Sequence, residues 1–507
     1  MKRIAIIGGG ISGLTAAYEL ELARQKGAAI DWHLYEASHR LGGIIQTTRI
    51  DTPEGRYILE GGPDGWVTEK PWARDLAIEL GLESELIDSN DATRKTYILK
   101  DATLQAIPDA MRMMVPTDLA ALEGSPLFSA SAKAAYAAEL TRAEELTATS
   151  PQHDESVADF VRRHFGEEVL TTLAAPLLSG VFGGDVNKLS VRAVMPQFVR
   201  MEQEHGSLIA ALQASSKARG ERQPQPIFTS LRNGIASLTE ALTARLPQDR
   251  LHLNTPALHI WDDPRWQVIL DDPTFEPQKV PHPAIVDLFD HVIFTTSVDT
   301  TKPFLAAIDY NRRIDKLLPT DASSAILVAM TWPADLALTF TIPQGFGFLV
   351  PQTTRQEPVI STEAQRSGEI PAFTAADTAA DAPLLACTFV DQKFPHRSPA
   401  GARILRAFFG GPSAEALAHA TDETITHAAL TQLREILGPI PDPIHTHVRR
   451  LPRSLPQYEV GHQKRIAQLE ALIADIPGLT LLGNAYRGVG LPDLIRDARS
   501  AARRQLT

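Results

Sequence analysis

The feature that most constrains this chain lies within its first forty residues. A short apolar run, Ile4–Ile7, enters Gly8, Gly10 and Gly13 in G-x-G-x-x-G spacing. Apolar and small residues then recur at helical spacing from Ile11 to Leu22, and a second strand-like run, Asp31–Tyr35, ends at Glu36. Strand, glycine turn, helix and strand in that order predict a parallel βαβ unit that seats a dinucleotide. Gly8 permits the tight turn, Gly10 lets backbone approach a pyrophosphate, and Gly13 lets the helix pack against the strand. Ile11 and Ser12 open the helix, whose N-terminus faces the phosphates. Glu36 is placed to accept hydrogen bonds from ribose hydroxyls, and an acid there favours a free 2′-OH.

Composition sets the remaining bounds. A length of 507 residues predicts two to four lobes. No stretch reaches the roughly 18–20 uninterrupted apolar residues of a membrane span. Lys2 and Arg3 precede an apolar run that Gly8–Gly10 break at once, so no signal peptide is expected. The single cysteine, Cys387, excludes an internal disulfide framework or a multi-cysteine metal site, and fits a reducing cytoplasm. A net charge of −12 argues against a nucleic-acid partner. It also means that local donors must hold any anionic ligand.

After Glu36 the sequence continues A-S-H-R-L-G-G (37–43), and a strand and turn lead to LEGGPDGW (59–66). An NAD domain needs no such second glycine turn. The E-x-x-x-R-x-G-G arrangement resembles the extended FAD fingerprint of the amine oxidase superfamily. The resemblance implies that Arg40 lies near the diphosphate and that Gly42 and Gly43 pass close to the flavin. It sets Gly62, Pro63, Asp64 and Gly65 beside the isoalloxazine ring. Near the C-terminus, GLTLLGNAYRGVGLPDLIRDARSAARR (478–504) reads as strand, glycine loop and helix. The resemblance returns this segment to the N-terminal lobe, with Val489, Gly490 and Leu491 at the flavin's pyrimidine end. A positive helix end there stabilises charge that develops on reduction. Between them, 227–246 reads as a segment, a glycine turn and a helix, 250–270 as two strands and 290–298 as another. Ala257 is where such proteins contact the adenine through backbone atoms.

APLLSGVFGGDVNKLSVRAVMPQFVRMEQEHGSLI (175–209), GFGFLVP (345–351), TFVDQKFPHRSP (388–399) and LPRSLPQYEVGH (451–462) resemble the protoporphyrinogen/coproporphyrinogen III oxidase family. With the two ends of the chain they span almost its whole length. The resemblance implies FAD held without a covalent bond, and six-electron oxidation of a porphyrinogen in three steps. In each step a hydride passes from a ring carbon to flavin N5, and oxygen takes the electrons as peroxide. Lys70 matches a pocket lysine of the coproporphyrinogen-using branch and is a candidate propionate partner. Arg94 and Lys95 lie where other branches place an arginine, but Thr96 stands at that position. Phe346 and Leu349 are candidate walls of the substrate pocket. No metal site and no nucleophile–base pair is evident, and His205 and His462 read as structural. Leu451 stands where the family often has tryptophan. Coproporphyrinogen III is favoured, with protoporphyrinogen IX as the alternative. Remoter rivals are an amine or polyene oxidase and a non-catalytic binder on the same fold.

The expected architecture is α+β with an α/β dinucleotide lobe assembled from separated pieces: 1–95, 221–300 and 456–507. Residues 96–220 are read as a mainly helical lobe at the substrate entrance, and 301–455 as a sheet lobe for substrate. Residues 217–226 read as a linker and 353–384 as a surface insertion. The apolar patch Pro108–Pro116 leaves peripheral membrane contact open, against a helix packed in the core or lining the substrate entrance; a homodimer is also open.

Overall fold

The computed structural model describes residues 1–219, 226–262, 265–271, 285–309, 311–351 and 382–506. All but the last three residues of the 353–384 segment, and most of the 217–226 linker, lie outside the described residues. Buried apolar runs without alternation form parallel strands covered on both faces. Lys2–Ile7 is such a run, with Ile4, Ala5 and Ile6 fully buried. It is the middle of a five-stranded parallel sheet, flanked by Ile30–Tyr35 and His291–Phe294 and, outside these, by Leu251–His252 and Leu479–Leu481. Ile6 faces Leu34 on one side and Ile293 on the other. The sheet therefore joins four distant parts of the sequence.

The helix Ile11–Gln25 leaves the glycine turn and packs back on this sheet. The C-terminal helix Leu491–Arg504 lies along it, with Ile495, Ala498, Ala501 and Ala502 in the same core as Leu14, Ala17 and Leu20. At the other side the antiparallel strands Ala257–Trp261, Trp266–Leu270 and Ile285–Phe289 form a separate small sheet.

A seven-stranded sheet forms the second layer. Its order is His445–Pro456, Ala322–Trp332, Arg403–Gly410, Ala386–Phe389, Gly347–Leu349, Thr96–Lys100 and Thr103–Ala106. The last two strands come from residues grouped with the helical segment in the sequence reading, so the chain enters this sheet before and after that segment. Register separates its two faces. Phe348, Cys387, Leu405, Ala407 and Phe409 fill one core. Leu349, Arg406, Phe408 and Arg449 alternate with such residues and share the other face. That face packs on the hairpin Thr47–Thr52/Gly55–Glu60 through Tyr57 and Leu59.

The intervening helices, among them Ala130–Thr141, Val157–Phe165, Pro196–His205 and Leu208–Arg219, surround Tyr136, Phe160, Phe165 and Phe198. Within them His164, fully buried, sits between Glu139 (3.1 Å) and Glu202 (3.3 Å), and Arg163 pairs with Glu202 and Glu155. The Pro108–Pro116 patch is a two-stranded hairpin, Met111–Arg112 with Val115–Pro116, where the sequence reading had a helix as its core-packed form. Met114 and Val115 are fully buried in the helical core, and the Tyr136 hydroxyl donates to the Met114 carbonyl at 2.9 Å. Among the described residues no helix is long and apolar enough to cross a membrane.

The first turn admits no side chain at Gly13. A Cβ there would lie 2.0 Å from the Gly8 carbonyl oxygen, a backbone atom that cannot swing aside. Gly13→Val is expected to destabilise the protein by about 3 kcal/mol or more, read as a lowered denaturant midpoint with or without cofactor.

Candidate active site

The site grows from the carboxyl ends of the parallel strands, the usual place for ligands in such sheets. Gly8 has φ +108° and donates its N–H to the Tyr35 carbonyl at 2.8 Å. Beneath it the Thr295 hydroxyl donates to the carbonyls of Ile7 (3.0 Å) and Gly8 (2.8 Å), fixing the turn from the neighbouring strand. Gly10 caps the helix with no side-chain hydrogen bond and no acid in the first turn, and a Cβ on it would meet nothing within 4 Å. The helix end is thus open, with backbone donors toward free space. Ile11 and Ser12, the first helical residues, are buried.

Glu36 follows the second strand. Its carboxylate accepts from Gly9 N–H (2.7 Å), Ser38 N–H (2.8 Å) and the Ser38 hydroxyl (2.7 Å). A carboxylate has about four lone-pair sites, so one remains for a ribose hydroxyl. Asn254 and Thr255 donate backbone N–H groups to the carbonyls of Ser38 and Glu36, which brings Ala257 to the same end.

The second glycine turn folds over the first. Gly42 N–H donates to the Gly9 carbonyl at 2.8 Å, and a Cβ on Gly43 would lie 3.2 Å from Gly10 Cα. The Arg40 guanidinium holds this turn by donating to the carbonyls of Leu41 (3.2 Å), Ile45 (3.1 Å) and Gly43 (2.6 Å). Open helix end, free lone pair on Glu36 and backbone brought over backbone together fit a dinucleotide.

The Gly62–Gly65 turn is clamped by groups the sequence reading did not single out. Lys393 donates to both Asp64 oxygens (3.1 and 3.0 Å), and Arg406 pairs with Asp64 at 3.3 Å and donates to the Gly62 carbonyl. Arg397, with no exposed surface, donates to Glu60 and to the Ser230 hydroxyl, which in turn donates to the Asp64 carbonyl at 2.6 Å. Glu60 also accepts from Ile235 N–H and the Thr47 hydroxyl. Three cations therefore face two carboxylates beneath the turn. Burial alone would raise the Asp64 carboxyl, but Lys393 and Arg406 hold it down to about 2.

The C-terminal glycine loop reaches the same region. The helix Leu491–Arg504 is capped by Gly490 with no side-chain hydrogen bond, and Pro492 sits in its first turn. Val489 leads into it. The loop is held by the 451–462 segment: the Tyr458 hydroxyl donates to the Asn484 carbonyl (2.6 Å) and accepts from Gly488 N–H (2.9 Å). His462 stacks on Tyr458 and donates from Nε2 to the Tyr486 carbonyl at 2.9 Å, and burial lowers its pKa to about 4. It is a neutral structural histidine. His205, by contrast, is an exposed residue in the last turn of its helix.

The candidate substrate residues are spread more widely. The Lys70 ammonium is 2.5 Å from Asp493, a buried carboxylate in the first turn of the C-terminal helix. Leu349 faces Gly180 of the helical segment, on the same sheet face as Arg406. Phe346 precedes that strand, is buried, and donates its N–H to the Lys95 carbonyl. Beside it a cavity of about 420 Å³ is lined by Asp91, Thr93, Arg94, Lys95, Asp109 and Gln344. Another, of about 470 Å³, opens between the helical segment and the sheet at Leu170, Ser179, Gly183, Leu385 and Gly410. Among the described residues no group of histidine, cysteine and acid side chains is arranged to hold a metal.

The family model for flavin containing amine oxidoreductase matches residues 11–506. Coproporphyrinogen III oxidase of Bacillus subtilis (strain 168) is 31% identical over 100% of this chain and 98% of its own length. Chloroplastic protoporphyrinogen oxidase of Oryza sativa subsp. japonica is 27% identical over 98% of this chain and 87% of its own. A solved structure from Exiguobacterium sp. 255-15, a protoporphyrinogen oxidase by assignment, has a TM-score of 0.77 at 30% identity and covers 100% of this chain and 98% of that one. The chain belongs to the flavin-containing amine oxidoreductase family; it is an oxidoreductase with FAD as its cofactor.

Two outcomes test the site. Gly10→Val has room for its side chain in the protein, so it should fold normally yet bind FAD at least tenfold more weakly (about 1.4 kcal/mol or more), measured by titrating stripped protein. Asp64 has a folded pKa of about 2 against 3.8 for the free side chain. The stability it contributes is present above about pH 4 and is lost as pH falls through 2. Asp64→Asn should lower the urea midpoint at pH 7, and the difference from wild type should shrink toward zero near pH 2.

Proposed function

We propose that this member of the flavin-containing amine oxidoreductase family oxidises a porphyrinogen to a porphyrin in haem biosynthesis, with coproporphyrinogen III as substrate and coproporphyrin III as product. The full-length likeness to a coproporphyrinogen III oxidase carries the reading. The open helix end at Gly10, the lone pair left on Glu36 and the second glycine turn folded over the first support it. The overall reaction takes one porphyrinogen and three O₂ to one porphyrin and three H₂O₂, so six electrons and six protons leave the substrate. Bound FAD supplies the electron-pair acceptor for each of the three steps.

The chain's own residues bind, orient and shield. Gly8, Gly10, Ile11, Ser12, Gly13, Glu36, Arg40 and Ala257 seat the adenosine and diphosphate end, and Gly42 and Gly43 pass close to the flavin. Gly62, Pro63, Asp64 and Gly65 form the floor beneath the ring system, made rigid and electropositive by Lys393, Arg397 and Arg406. Val489, Gly490 and Leu491 direct the N-terminus of the last helix at the pyrimidine end, where its N–H groups favour negative charge. Leu349 and Phe346 supply apolar wall on the helical side. Lys70 is the candidate carboxylate partner of the substrate. Its ammonium is half exposed and rests on Asp493, from which a substrate carboxylate can recruit it. Oxygen as final acceptor and a cytoplasmic location belong to the same proposal.

The test is porphyrin fluorescence, followed in air with each porphyrinogen separately. Faster turnover of coproporphyrinogen III is expected, with KM raised about tenfold in Lys70→Gln and FAD content unchanged. Preference for protoporphyrinogen IX would move the substrate and keep the chemistry. A yellow protein that accelerates neither would overturn the reading.

A further inference from the structure

The edge strand His445–Pro456 carries an arginine that the site described above does not use. Register sets His447 and Arg449 opposite Ala329 and Leu327, and those opposite Arg406 and Phe408. Arg406 reaches the Gly62 carbonyl, so Arg449 stands on the sheet face turned toward the glycine loops. Its stem touches the backbone there: a Cβ on Gly61 would lie 3.6 Å from Arg449 Cγ and 3.4 Å from His447 Nε2. Next to it Gln46 Oε1 and His447 Nε2 are both buried without a hydrogen-bond partner.

Arg449 is half-buried, and its guanidinium makes no hydrogen bond or ion pair among the described residues. Arg40 donates to the Ile45 carbonyl, and the next carbonyl, of Gln46, accepts from the N–H of Gly61, beside which the Arg449 stem lies; burial, with this neighbouring guanidinium, holds Arg449 below the usual arginine range. Among the described residues, the hydrogen bonds of the Arg40 guanidinium all go to carbonyls. Two neighbouring half-buried cations with no carboxylate between them are an unfavourable arrangement in the free protein, and an anion relieves it.

We propose that Arg449 and Arg40 together close an anion site on the sheet side of the glycine loops, and that its occupant is the diphosphate of the dinucleotide. Position favours phosphate over a substrate carboxylate. Arg40 holds Gly43, Gly43 lies against Gly10, and Gly10 opens the helix end where phosphates bind. The strand bearing Leu349, toward the helical segment, is four strand spacings from that of Arg449, roughly 19 Å. Arg449 would thus tie the seven-stranded sheet to the cofactor carried by the five-stranded one. The proposal rests on the dinucleotide being seated at Gly8–Gly13.

Titration of stripped protein with FAD and with riboflavin, which lacks phosphate, tests this. Arg449→Gln is expected to weaken FAD about tenfold or more and to leave riboflavin affinity unchanged. Arg449→Lys should keep part of the FAD affinity. Without FAD, Arg449→Gln should melt at the same temperature as wild type or higher, because the repulsion from Arg40 is gone; saturated with FAD it should melt lower. Unchanged FAD affinity, equal loss of FAD and riboflavin, or equal destabilisation with and without FAD overturns the proposal. Gly10→Val in parallel isolates the premise: if it retains FAD fully, the seating itself fails.

Discussion

The site depends on charge buried between the two main sheets. Glu60 and Asp64 lie at the end of a hairpin from the first part of the chain, and Lys393, Arg397 and Arg406 come from the seven-stranded sheet and its approach. Such pairs add little net stability over well-packed apolar residues, but losing one partner leaves a buried charge uncompensated and costs about 3–5 kcal/mol. Their gain is in position. An apolar contact tolerates sliding, whereas forked donors on carboxylate and carbonyl oxygens fix distance and angle. The turn from Gly62 to Gly65 is therefore held in one place relative to the seven-stranded sheet.

The dinucleotide unit was legible because every part of it follows from local rules. Gly8, Gly10 and Gly13 appear at a fixed spacing between a buried strand and a helix, and Glu36 closes the second strand. The helix boundaries at Ile11 and Leu491 followed from the glycines before them. The clamp was not legible in this way. Lys393, Arg397 and Arg406 lie more than 300 residues from the turn they hold, and no periodicity connects them. One signal was present: Arg406 interrupts the apolar run from Ile404 to Phe409 in a strand buried on both sides. A cation there needs a buried partner. The Pro108–Pro116 patch read as a helix if packed inward, but it is a hairpin that buries Met114 and Val115 in the helical core, a two-by-two pairing too short to show a period in the sequence.

Lys70 and Asp493 show how the site's electrostatics are balanced across the fold. A carboxylate in the first turn of a helix interacts well with that helix's dipole. Here it is also buried, and an uncompensated negative charge would oppose the helix field. Lys70, and Arg496 at 3.3 Å, keep that end close to neutral. The segment 451–462 acts on the same loop by hydrogen bonds alone, through Tyr458 and a histidine too deeply buried to ionise at neutral pH.

The order of strands in the parallel sheet bears on how the protein is made. The strand Lys2–Ile7 is made well before its neighbour His291–Phe294, and Leu479–Leu481 is made later still. Until then the helix Ile11–Gln25 lacks the C-terminal helix that covers it, and its apolar face is exposed. Domains whose pairings are this non-local fold late and slowly. During synthesis the middle of the chain can build its helical core while the first hundred residues wait. The five-stranded sheet and its helical cover are completed only once Leu479–Leu481 and the helix Leu491–Arg504 have been made, so the lobe stays unfinished through the synthesis of everything between its separated pieces.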